Sequence, residues 1–375
     1  MNKQQINGFM PAVILALLAL VMLLGGLYVR AVTTQQDDLQ YASSAPQQVY
    51  HWKMVTTWPK NFPGLGMAPE RIAEWVDKMS DGRLKITVYG AGEMVPALQV
   101  FDTVSAGTAQ LGHGAAYYWK GKIPAAPLFT AVPFGMTAQE MNAWLYHGGG
   151  IELYRELYAP YNLIPMAAGN TGVQMAGWFN REINSLEDIK GLKMRIPGLA
   201  GEVFNRVGGT AVNIPGGEIF TSLQTGVIDA TEWVGPYNDL AFGLYKTAKY
   251  YYYPGWHEPG PTLELIVNKQ AFASLPKDLQ EILEVAARAV NQDSLDEYTA
   301  LNNAALEELV QQHGVILKEL PEDVLAELKR VSLALYDEMS ASDPTFAKIY
   351  DSFKAFAEGT KSYHQISERA YLNAR

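Results

Sequence analysis

The side chain best placed for chemistry is an arginine at the end of a strand. Arg195 lies in Leu192-Lys-Met-Arg-Ile196, and Pro197-Gly198 follows at once. An arginine there can point into a space between lobes, where its planar fork matches a carboxylate with two charge-assisted hydrogen bonds. Each such bond is worth about 1.5–3 kcal/mol. Spacing alone leaves open a surface pairing with a neighbouring acid, because strand alternation turns many arginines outward. Tyr117 and Tyr118 follow Gly112-His-Gly-Ala, and Trp58 ends the first strand. Both places are carboxyl ends of strands, where open α/β sheets put ligands. One of the two tyrosines is expected to give its hydroxyl to a ligand or metal and the other to be core. Asn170 and Asn213 are further polar candidates, with turn or capping roles as the alternative. Enzyme signatures are missing: there is no phosphate loop, metalloprotease helix or G-x-S-x-G elbow. The six histidines show no metal-ligand spacing, and without cysteine there is neither thiol catalysis nor a disulfide framework. Gly148-Gly-Gly150 reads as a turn.

The elements that must hold these residues alternate. Strands are expected over 50–58, 84–89, 109–116, 161–169, 173–179, 192–196, 211–214, 229–234, 250–253 and 262–268, with helices over 69–80, 98–106, 200–207 and 217–225. Alternation favours an α/β fold with largely parallel sheets. With 375 residues the chain is long for one core, so two lobes with a ligand cleft between them are expected. Residues 49–170 plus 233–258 read as lobe I and 171–232 plus 259–340 as lobe II, with crossings near 170, 232 and 258. Helices over 276–310, 321–339 and 344–357 close the chain. Residues 341–375 form a C-terminal helical extension whose stripe Phe346, Ile349, Tyr350, Phe353 and Phe356 packs either at home or on a second subunit.

The N-terminus is a second source of information. Lys3 is followed by an uncharged run from Ile6 to Val29 and then by Arg30. A charged start and an apolar middle read as an export signal, yet about 20 residues are also enough to span a bilayer. Residues 1–30 are therefore a signal peptide or a membrane anchor, and 31–48 a polar linker, with Ala42-Ser-Ser44 as the best cleavage candidate. A formal net charge of −10 disfavours nucleic acid as a partner.

Three motifs together resemble one family. Asp188-Ile-Lys-Gly-Leu-Lys-Met-Arg-Ile-Pro197 is similar to the D-[IL]-K-G-[LM]-K-[IM]-R-x-P signature of the substrate-binding subunits of TRAP transporters. Gly208 to Ala230 and Gln99 to Gly114 resemble two further motifs of that family, and the likeness covers nearly all of residues 49 to 340. It implies a two-lobed periplasmic-binding-protein fold, no enzymatic activity, TRAP membrane permease subunits as partners, and Arg195 as the partner of a ligand carboxylate. Asp229-Ala-Thr-Glu-Trp-Val-Gly-Pro236 departs from the commoner D-G-x-E-x-P. With Trp256-His-Glu-Pro259 and Gln174, it resembles the branch that binds 2-oxo acids or lactate with a sodium or calcium ion. A 2-oxo or 2-hydroxy acid chelates a hard cation, and such ions take oxygen ligands. Gln174, Glu232, Glu258 and the Trp233 carbonyl can supply them, and Gln174, Trp233 and Glu258 also count among the ligand-contacting candidates. For Glu232 and Glu258 the alternative is a hinge salt bridge, and for Gln174 a plain hydrogen bond to the ligand. The resemblance further implies a homodimer through the C-terminal helices. A receptor for another organic acid without metal, and a membrane-tethered sensory domain, remain as alternatives.

Overall fold

Strand propensity and burial build two sheets. The computed structural model describes residues 3–44 and 48–375. The first sheet contains β1 (Tyr50–Thr56), β2 (Leu84–Tyr89), β3 (Leu111–Gly114), β4 (Leu163–Asn170) and β10 (Thr262–Asn268), in the order β2-β1-β3-β10-β4. The second contains β5 (Gly177–Phe179), β6 (Lys193–Arg195), β7 (Thr210–Val212), β8 (Ala230–Thr231), β9 (Tyr250–Tyr253) and β11 (Ile316–Glu319), in the order β11-β9-β5-β8-β6-β7. The fold is α/β and two-lobed. The sheets are mixed rather than largely parallel: β10 runs antiparallel to β3 and β4, and β5 runs antiparallel to β8 and β9. These are strands that flank the passages between sheets, so their direction is set by where the chain returns from.

That return also corrects the allocation of the lobes. β10 belongs to the first sheet, not to the lobe holding 171–232, and β9 belongs to the second sheet, not to the first lobe. The chain crosses at 171–176 and 254–261, and again along the helix Lys277–Gln311, which begins against β4 and leads into β11. There is no crossing at 232, where the chain stays in the second sheet between β8 and β9.

Apolar periodicity fixes what covers the sheets. Ile72 and Val76 of the helix Met67–Met79 and Leu279, Leu283, Ala286 and Val290 of Lys277–Gln311 are buried against the first sheet with Met54, Leu111 and Leu265. The C-terminal stripe is spent inside the chain: Phe346, Ile349, Tyr350 and Phe353 are buried with Trp144, Phe129 and Tyr336. Each fully buried phenylalanine contributes about 1.5–3 kcal/mol, so this stripe is not free to embrace a partner as its sequence suggests. Its helix instead runs on to Ile366, and Tyr363, Ile366, Tyr371 and Leu372 are exposed.

The N-terminal unit is a single helix, Lys3–Ser44. It includes Val13–Thr33, the one stretch among the described residues long and apolar enough to cross a membrane. The helix continues through most of the expected linker because no glycine or proline interrupts 27–44. Residues 45–47 of that linker lie outside the described residues.

Candidate functional site

The parallel register of the second sheet creates the central pair. β6 lies beside β8 with Arg195 opposite Thr231, so the next residue, Glu232, emerges at the same sheet edge, its N–H donating to the Arg195 carbonyl (3.2 Å). Pro197 ends β6 and caps the helix Gly198–Arg206. Gly198 has φ +67, and a Cβ there would stand 3.0 Å from the Tyr117 side chain, so only glycine lets the first lobe approach this closely. Tyr117 and Tyr118 sit in the short turn Ala116–Trp119, after β3.

Arg195 is fully buried, and each of its three guanidinium nitrogens donates a hydrogen bond, with Nη2 reaching only the Tyr118 hydroxyl among the described residues. It donates to a Glu232 carboxylate oxygen, to the Ile214 carbonyl (3.3 Å) and to the Tyr118 hydroxyl (3.0 Å). It also lies 5.3 Å over the Trp233 ring. Burial works against its charge, but Glu232, the two tyrosines and Glu258 outweigh that and raise its pKa. Trp233 packs edge-on to Trp58, whose indole N–H donates to His113 Nδ1 (2.9 Å). Burial lowers His113 to about 4, so this ring is a neutral prop.

The two crossing segments bring the remaining groups. Gln174 N–H donates to the Glu258 carbonyl (3.1 Å), and its side-chain amide donates to Glu258 Oε2 (2.9 Å) and Thr171 Oγ1 (3.2 Å). Glu258 is pushed well above the usual carboxylate range by burial and by Glu232, with Arg195 and the Tyr117 hydroxyl pulling it back. Burial likewise raises Tyr117 and Tyr118. Several buried polar atoms have no hydrogen-bond partner among the described residues: Gln174 Oε1, Glu232 Oε2, Trp233 Nε1 and both ring nitrogens of His257. Native interiors rarely leave such groups unmet. Glu232, His257 and Glu258 each offer a ligand atom within 4.8 Å of the others. A cation fits this donor set: it would use the free oxygens and relieve the repulsion between the acids.

The structure therefore gathers Arg195, Tyr117, Tyr118, Gln174, Glu232, Trp233 and Glu258 around one buried point. It does not gather the two asparagines. Asn170 is buried, but its amide donates to the Gly260 carbonyl (3.2 Å) and its oxygen accepts from Gly172 N–H (2.9 Å), so it closes the turn out of β4. Asn213 is exposed. His257 is the group that sequence reasoning misses, because its partners are 25 residues upstream in chain order at Glu232 and next door at Glu258. Its place beside Glu258 in Trp256-His-Glu-Pro259 is the only local signal.

Two α/β lobes joined by crossing segments, with a buried charged point between them, make a solute-binding protein of the periplasmic type. Residues 54–343 match bacterial extracellular solute-binding protein, family 7 (DctP), and the chain belongs to that family. It is a receptor of the TRAP class and not an enzyme. A relative from Nostoc, described as a monocarboxylate 2-oxoacid-binding periplasmic protein, is 46% identical over 86% of this chain and 88% of its own length. A TRAP periplasmic solute-binding protein from Pseudoalteromonas atlantica, solved with bound sodium and pyruvate, is 44% identical with a TM-score of 0.85, over 88% of this chain and 100% of that one. A third, from Bordetella bronchiseptica, is a mixed-occupancy dimer with copurified calcium and picolinate at one site against an apo site. It is 36% identical with a TM-score of 0.86, over 87% of this chain and 97% of that one.

Proposed function

We propose that this receptor captures a 2-oxo or 2-hydroxy monocarboxylate, such as pyruvate, a longer oxo acid or lactate, together with a sodium or calcium ion, and delivers it to TRAP membrane permease subunits. The observation that carries the reading is a fully buried Arg195 beside the unpartnered oxygens of Gln174 and Glu232. Arg195 pairs with the carboxylate, which shares the guanidinium with Glu232, while Tyr118 orients that guanidinium. Gln174, Glu232, Glu258 and the Trp233 carbonyl hold the ion, which supplies positive charge where two acids and an anionic ligand meet. The 46% identical relative is described as binding 2-oxoacids. Pyruvate and picolinate, bound in the two structures, both set a second donor atom beside the carboxylate, as a chelate requires.

The N-terminal helix serves on this reading as export signal or anchor. Two copies pair through the exposed end of the C-terminal helices, supported by the dimeric relative. Sedimentation of the chain with and without residues 363–375 tests the pairing: loss of the dimer on truncation is expected, and a monomer in both overturns it. The ligand is tested by a thermal-shift screen of short acids in potassium buffer after dialysis against chelator, with sodium or calcium restored. Pyruvate and lactate should raise Tm only when a cation is present, since a ligand stabilises by its occupancy of the folded state. Acetate, lacking the second oxygen, should not. Equal shifts with acetate, or no dependence on either cation, would overturn the assignment.

A further inference from the structure

Hydrogen bonding within the chain does not explain His257. Its side chain is fully buried, and neither ring nitrogen has a partner among the described residues. Its Nε2 lies 3.5 Å from Glu232 Oε2, which is itself unpartnered. That is beyond a good hydrogen bond. It is close to the separation of two ligands on one small cation: bonds of about 2.1 Å at the tetrahedral angle put donor atoms about 3.4 Å apart. Glu258 completes a trio whose ligand atoms lie within 4.8 Å of one another. Arg195 binds the other Glu232 oxygen and leaves Oε2 free.

Sodium and calcium select oxygen, and nothing in their chemistry calls for a buried imidazole. Imidazole with carboxylates suits zinc and its neighbours in the first transition row. We infer that His257, Glu232 and Glu258 form a site for a divalent transition-metal ion of the zinc type. The receptor then accepts its acid as a transition-metal chelate as well as with a hard cation. Three protein ligands leave a fourth position for a carboxylate oxygen of the bound acid, as open zinc sites do. Charge favours a divalent ion over sodium, and the imidazole then selects among divalent ions. With both acids ionised, Arg195 charged and a monocarboxylate bound, the cleft is left net negative, and a divalent cation removes the excess. The inference rests on the cleft proposed above as the binding site, but not on the identity of the acid.

The test uses the full chain, freed of metal by chelator and titrated with cobalt(II) as a visible stand-in for zinc. One equivalent is expected to bind with the intense absorption of four- or five-coordinate, nitrogen-ligated cobalt. Zinc should displace it, and calcium in about 100-fold excess should not, following the order of divalent affinities. His257→Gln should weaken cobalt binding at least tenfold more than it weakens calcium binding. On wild-type protein labelled with 15N-histidine, zinc should move one imidazole pair of resonances, a readout independent of whether the variant folds. Failure of cobalt to bind at one equivalent, an unchanged cobalt spectrum in the variant, or unmoved imidazoles would each overturn the site. Cobalt bound through His257 without any affinity for oxo acids would sink the ligand assignment and spare this one. Calcium-dependent pyruvate binding without cobalt would do the reverse.

Discussion

Two kinds of buried acid cluster in this molecule look alike in burial and differ in completeness. In the first lobe, Glu264 of β10 receives the Trp119 indole N–H on one oxygen and the Tyr154 hydroxyl on the other. Asp239 in the second lobe is closed in the same way, by Trp178, Tyr251 and the Val234 N–H. Neither makes an ion pair among the described residues. In the cleft, Glu232 has one oxygen on Arg195 and the other on nothing, and Gln174 and His257 are equally unfinished. Burial raises the pKa of Glu264 and Asp239 to about 7 and pushes Glu258 well up, so a displaced pKa does not tell the clusters apart. The unmet atoms do. A structural acid is closed by its own fold, whereas a binding site keeps its partners waiting.

The contrast can be broken in graded ways. Arg195→Ala has the largest expected effect. Losing charge-assisted bonds to a carboxylate should weaken acid binding at least about 100-fold in calorimetry. It should also destabilise the fold by about 3–5 kcal/mol, because Glu232 is left buried and uncompensated. Undiminished affinity would remove the arginine from the site.

Glu264→Gln comes next and acts on stability, not on ligand. Glu264 titrates at about 7 in the fold against 4.5 when exposed, so the folded state holds its proton more tightly. Its contribution is therefore fully present below pH 4.5 and is lost as pH rises to 7, by about 3 kcal/mol. Glutamine does not titrate. The stability of wild type relative to the variant should thus fall between pH 5 and pH 8 in urea unfolding, while acid affinity changes little. Parallel pH profiles would mean that Glu264 is not protonated in the fold.

Smaller effects belong to the rim. Tyr118→Phe removes one hydrogen bond to Arg195, worth about 0.5–1.5 kcal/mol, and should cost about three- to tenfold in affinity. Asn213→Ala, at an exposed position, should leave binding unchanged and stability within about 0.5 kcal/mol. A larger loss at Asn213 than at Tyr118 would return the asparagine to the site.

Much of this arrangement is legible in the chain itself, and the exceptions share a cause. The strand around Arg195, the glycine turn at 148–150, the helices over 277–311 and 322–342, and the strand Thr262–Asn268 follow from local periodicity and punctuation. Which sheet a strand joins does not, because Tyr250–Tyr253 and Thr262–Asn268 carry no mark of the lobe that receives them. β11 escapes notice because its residues are mostly exposed and lack alternation. The aromatic stripe at 346–353 is visible, but its burial against Trp144 and Phe129 depends on helices 138–147 and 150–158, which are short and lie on either side of a glycine turn. His257 is missed for a similar reason: its significance lies in two unpartnered nitrogens beside Glu232, a fact of three dimensions.

The central claim is that arginine and cation capture the acid together. Calorimetric titration of pyruvate into chelator-treated protein in potassium buffer tests it most directly, with neither cation, with sodium and with calcium. The account predicts affinity at least about tenfold higher with one of the cations, equivalent to 1.4 kcal/mol or more. Pyruvate binding that is equally tight in all three buffers would contradict it.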